Sequence, residues 1–105
     1  MNTKELLSAL DCLRDCIVSM IEATSDKDIH SVLYEKKDMV ESWIFRVTYN
    51  RASAFYVAQE IESGIGKAID VYIPKMSQLN SALDEATERV WNAAFAFLED
   101  YVSEP

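Results

Sequence analysis

The sequence predicts an all-α protein: an up-down-up helical bundle of three helices in a single domain over residues 1–105. Three observations carry that prediction. Only two Gly and two Pro interrupt 105 residues, which favours long helices. Apolar residues recur at three- and four-residue steps along most of the chain, the period of a helix that buries one face. The one stretch that alternates like a strand, Lys67 to Ile73, has no second strand to pair with, and a lone strand is not stable.

The first helix is expected from about Thr3 to Thr24. Leu6, Leu10, Leu13, Ile17, Met20 and Ile21 form its apolar face, flanked by Ala9 and Cys16. Asn2 or Thr3 can cap it, with Glu5 in the first turn. Ser25-Asp26-Lys27-Asp28 reads as a break and restart, with Ser25 as the next cap and Asp28 in the capping-box position. So short a connection makes the flanking helices antiparallel neighbours.

The second helix is expected from about Asp26 to Ser63, which unbroken would span about 55 Å at 1.5 Å per residue. One apolar stripe is Ile29, Leu33, Val40, Trp43, Ile44, Val47, Ala54, Ala58 and Ile61. Phe45, Tyr49, Ala52 and Tyr56 form a second stripe on the far side. The weak helix formers Thr48-Tyr49-Asn50-Arg51 mark a kink or break near Asn50. Gly64 and Gly66 are placed to stop the helix.

The third helix is expected from Ile65 onward. Ile65, Ile69, Tyr72, Met76, Leu79, Leu83, Ala86, Val90, Ala93, Phe97 and Tyr101 keep helical register straight through Pro74. Helix is therefore preferred to strand over Lys67–Ile73, with a kink or restart near Pro74 because proline removes a hydrogen bond there. Ser81 and Asp84 form a cap pair if the restart falls late, and Glu85 with Arg89 makes a favourable i,i+4 pair. Ser103 to Pro105 should fray. Trp91, Phe95, Leu98 and Val102 add another apolar stripe, which the first helix is expected to cover.

That helix is too short to reach the Phe45–Tyr56 stripe. Either two copies pair as a symmetric dimer, each covering the other's far half, or the chain breaks near Asn50 and folds back as a four-helix bundle. The dimer is the preferred expectation.

Charge and motifs narrow the function. The formal net charge of −8 disfavours direct binding to nucleic acid or to anionic membranes. No apolar run is long enough to span a bilayer and no secretory signal is visible, so a cytoplasmic location with reduced thiols is expected. The single His30 is expected at a boundary, and Cys12 with Cys16 supply two thiols where a metal site needs more ligands. Glu35-x-x-Asp38 and Glu85-x-x-Glu88 resemble magnesium-holding spacings but stand in the wrong order for helical pyrophosphohydrolases. No phosphate-binding glycine loop occurs. No cofactor, metal or catalytic residue is expected.

The expectation is a non-enzymatic protein-binding module. It would be a small acidic inhibitor, an immunity or anti-defence type of protein, or chaperone-like. Its partner would be another protein with a basic or apolar docking surface, or a second copy of the chain. The expected contact residues are Phe45, Tyr49 and Tyr56, with Asp84, Glu85 and Glu88 as docking charges. Further acids gather at Glu60 and Glu62, and at Glu99, Asp100 and Glu104. The alternatives are an acidic mimic of nucleic acid that inhibits a DNA- or RNA-binding protein, and a small all-α metal-dependent hydrolase.

Overall fold

The computed structural model describes residues 3–103. These form four α-helices and no strand: α1 Lys4–Ala23, α2 Lys27–Tyr49, α3 Arg51–Ala68 and α4 Ser77–Ser103. Each helix packs on two others in a closed ring, α1 on α2, α2 on α3, α3 on α4 and α4 on α1, whereas the diagonal pairs make no such contact. The backbone fills a rod of 50 × 22 × 20 Å. Side-chain bonds set the directions. Cys16 and Ser8 of α1 meet Ala82 and Arg89 of α4 in opposite order, and Glu62 and Phe55 of α3 do the same with Trp91 and Tyr101. The topology is up-down-up-down, with neighbours antiparallel.

The three-helix count is therefore corrected. Helix two does not continue past Tyr49. Asn50 is extended, at φ −165 and ψ 172, and serves as the C-cap of α2 and the N-cap of α3. Its side-chain oxygen accepts from the Ser53 N–H at 2.8 Å, which satisfies one of the orphan donors that open α3. The Trp43 indole N–H then reaches Glu60 Oε2 at 3.0 Å. Those residues would lie about 25 Å apart on a straight helix, so the chain has turned back on itself. One chain closes its own ring and buries Val40, Trp43 and Val47 in the far half of α2, while Phe45 and Tyr49 on its outer side stay exposed.

Most of the expected stripes are buried in spite of that break, with Ile21, Ile29 and Ile44 only half-buried at their edges. Leu33, Val40, Trp43 and Val47 of α2 and Ala54, Ala58 and Ile61 of α3 are buried against Leu6, Leu10, Leu13, Ile17 and Met20 of α1 and Leu83, Val90 and Phe97 of α4. Each such large side chain contributes about 1.5–3 kcal/mol when fully buried, which is why their spacing reads the helices reliably.

Several boundaries differ from expectation. Asp26, rather than Ser25, caps α2, accepting from the N–H groups of Asp28 at 2.9 Å and Ile29 at 3.2 Å. Thr3 sits at the α1 cap position without a side-chain cap bond, while Asn2 and Glu104 lie outside the described residues. Gly64 and Gly66 do not end a helix: α3 runs through both to Ala68. The register through Pro74 is a coincidence of spacing. Residues 69–76 are a non-helical connector, α4 starts at Ser77 and not near Ser81, and the residue buried before the proline is Ile73, with Tyr72 left 74% exposed.

The connector folds onto α4 through polar contacts. Asn80 Oδ1 accepts from the Ile73 N–H at 3.0 Å, and Asn80 Nδ2 donates to the Ile73 carbonyl at 2.8 Å. Met76 N–H returns to the same carbonyl at 3.3 Å across Pro74-Lys75, and Lys75 takes φ 69. Proline followed by a positive φ is the pattern of a type II turn.

Candidate functional site

The six expected contact residues are all exposed, but they do not share one face. Phe45 and Tyr49, four residues apart near the end of α2, are 71% and 72% exposed. Phe45 borders a shallow groove between α1 and α2 that also holds Arg14, Val18 and Ile44. Charges along it pair locally: Lys37 with Glu41 at 2.6 Å, and Arg14 with Asp11 and Asp15 at 3.5 Å. Hydrogen bonding to Glu41 pushes the Lys37 amine up from its usual value.

Tyr56 lies on α3, beyond the break at Asn50, so the second stripe of the supposed single helix is divided. Tyr56 is 60% exposed. It meets Phe55 edge-on at 5.6 Å, and Phe55 stacks on Tyr101 of α4 at 4.5 Å. The Arg51 guanidinium lies 5.6 Å from the Tyr101 ring centre, within cation–π range. The end of the bundle where α3 starts and α4 finishes is thus rich in aromatic rings.

Asp84, Glu85 and Glu88 are exposed on α4. Asp84 and Glu88 border a groove between α3 and α4, whereas Glu85 lies about 100° further round the helix from Asp84. In a ring of four, the α3–α4 seam is opposite the α1–α2 seam. Asp84 and Glu88 therefore lie on the other side of the bundle from Phe45.

Sequence reasoning missed the groove itself. The Trp91–Val102 stripe is not covered by α1. Trp91 is half-buried against α3, its indole N–H donating to the Glu62 carbonyl at 3.0 Å. The Phe95 ring stacks on Trp91 at 5.3 Å and 10° and stays 42% exposed, and Val102 is 76% exposed. The signal was present as a second stripe at helical spacing. Its neighbour could not be named without knowing that α3 turns back at Asn50.

Glu60 is engaged within the chain. Its carboxylate takes the Trp43 indole and both terminal nitrogens of Arg46, at 3.1 and 3.3 Å. Those hydrogen bonds, Arg46 foremost, hold the Glu60 carboxyl below its usual range against the opposing effect of burial.

The single histidine is held by backbone groups. His30 Nε2 faces the carbonyls of Ile21, at 2.9 Å, and Thr24, so it donates to the open C-terminal end of α1. Cys12 and Cys16 are free thiols, and burial pushes the Cys16 thiol up. Among the described residues no group of three or more His, Cys, Asp or Glu could hold a metal ion. The pairs Glu35/Asp38 and Glu85/Glu88 stand on α2 and α4, which are diagonal to each other in the ring. No described helix is long and apolar enough to cross a membrane.

No family model, curated protein or solved structure matches this chain.

Proposed function

We propose that this protein is a non-enzymatic protein-binding module, of the small acidic inhibitor, immunity, anti-defence or chaperone-like kind. The observation that supports it most is that the helix ring is complete, yet Phe45, Tyr49 and Tyr56 stay 71%, 72% and 60% exposed. Scattered single apolar residues on a surface are ordinary. Phe45, Tyr49 and Tyr56 stand close to the α2–α3 junction, and exposed aromatic rings grouped in this way have the composition of an interface centre, where aromatic residues supply most of the binding energy. The chain has no need of these rings for its own core, so they are free to dock on an apolar patch of a partner. The exposed carboxylates of α4 would raise the capture rate of a basic partner.

The test is crosslinking and co-purification of the tagged chain from its native cell, with Phe45→Ser/Tyr49→Ser/Tyr56→Ser as the comparison. A stoichiometric protein partner is expected, weakened roughly tenfold or more by the triple change. Recovery of the folded chain alone, or turnover of a substrate by the purified chain, overturns the reading. A partner that is indifferent to the rings and released by moderate salt favours nucleic-acid mimicry instead.

A further inference from the structure

We infer that the α3–α4 groove is a binding site for a basic amphipathic helix of another protein. The inference rests on the protein-binding reading but assigns a surface that the aromatic triad does not include. An apolar stripe runs along it: Trp91, Phe95, Leu98 and Val102 follow one side of α4 at steps of 4, 3 and 4, and apart from Trp91 and Ile65 the upper part is lined mainly by polar residues. Trp91 lies in the upper part of the groove and Phe95 in the lower part, and their stacked rings join the two. Glu62 of α3 borders both parts, whose volumes are about 610 and 490 Å³.

Shape selects a helix. From Asp84 to Val102 the groove follows α4 for about 27 Å, the length of about 18 helical residues. Apolar side chains of α4 spaced by turns, with Glu62 of α3 at their edge, can receive a partner helix's i, i+3, i+4 and i+7 side chains. The Trp91 N–H is already bonded to Glu62, so its ring can be covered without stranding a polar group.

Charge selects the sign of the partner. Glu62, Asp84, Glu88 and Glu99 border the groove against a single lysine, Lys67. A second copy of the chain would bring the same carboxylates and a net charge of −8, so self-docking here sets like charges together. Nucleic acid and anionic lipid are repelled for the same reason. A helix with Lys or Arg flanking its apolar face meets both features at once.

The experiment titrates a fluorescent Leu/Lys amphipathic peptide of about 18 residues against the full chain by anisotropy. The controls are a scrambled peptide of the same composition, a Leu/Glu counterpart, and sedimentation of the chain alone. The amphipathic Lys peptide should bind most tightly. Phe95→Ser/Val102→Ser should weaken it roughly tenfold or more, and Tyr72→Ser on the connector should not. Binding should also weaken when salt is raised from about 0.1 to about 0.5 M. Equal binding of the scrambled peptide, indifference to Phe95→Ser/Val102→Ser, or no binding overturns the groove as a helix site. So does a dimer that Phe95→Ser/Val102→Ser dissolves. The protein-binding reading fails separately: a native partner kept by the groove variant and lost by the Phe45/Tyr49/Tyr56 variant sinks the groove alone, whereas the absence of any native partner sinks the wider reading.

Discussion

The side chain of Asn80 holds both backbone polar groups of Ile73: its Oδ1 takes the N–H at 3.0 Å and its Nδ2 meets the carbonyl at 2.8 Å. Asn80 is the one buried polar side chain among the described residues, at 8% exposure. The pairing lets a non-helical segment cross a buried position, because an amide matches a peptide group donor for acceptor. It also seats the Ile73 side chain, 2% exposed, in the core beside α4.

Asn80→Ala should therefore destabilise the protein by about 2–4 kcal/mol. The change strands the Ile73 N–H in a buried place, and an unsatisfied buried group costs about 1–3 kcal/mol. It also leaves space beside Ile73. Urea unfolding followed by circular dichroism measures the loss. A change below about 0.5 kcal/mol, the range of an ordinary surface substitution, would show that Asn80 does not hold the connector.

Lys75→Gly should act in the opposite direction. Lys75 is the only described non-glycine residue with a positive φ, at 69, and the left-handed region strains a side chain by roughly 1–2 kcal/mol. Glycine removes that strain but adds entropy to the unfolded chain. The expected net gain is about 0.5–1 kcal/mol, read as a higher urea midpoint at unchanged slope.

These two residues also mark where sequence reading stopped. Burial was legible because Leu33, Val40, Val47, Ala58 and Ile61 keep helical spacing on both sides of Asn50, and a break that restores the register leaves the pattern intact. Direction was not legible, since period alone does not record whether Asn50 bends the axis or reverses it. The Ile65–Tyr101 run kept its period through Pro74 while the backbone left the helix at Ile69. The chemistry that decides there is a single amide, Asn80, whose partner is a backbone group with no sequence signature. Of the expected contact residues, exposure followed from their place off the main stripes. Which of them share a side of the bundle depended on the reversal.

Gly64→Ala and Gly66→Ala should each stabilise the protein by about 0.5–1 kcal/mol. Both glycines lie inside α3 with negative φ, and a Cβ added at either meets nothing within 4 Å. Alanine therefore gains helix propensity without a clash. Thermal melts of the single and double variants check this, and a loss on either substitution would mean that the residue's bareness serves a contact outside the isolated chain.

Glu60 makes stability depend on pH in a defined direction. Its folded carboxyl is held below the ordinary range, chiefly by Arg46 and then by the Trp43 indole, so the folded state favours the charged form more than the unfolded state does. The stabilisation is complete above the unfolded glutamate range and is lost as pH falls through the lower folded value. Glu60→Gln keeps an acceptor for Trp43 and gives up the charge that Arg46 grips with two nitrogens. The two proteins should differ in urea midpoint near neutral pH and converge as the solution becomes acid. Because the Glu60 side chain is 50% exposed, added salt should narrow the neutral-pH gap as well. A gap that stays constant with pH would place the α2–α3 tie in the Trp43 hydrogen bond and the apolar packing beneath it, with the Arg46 pair contributing nothing.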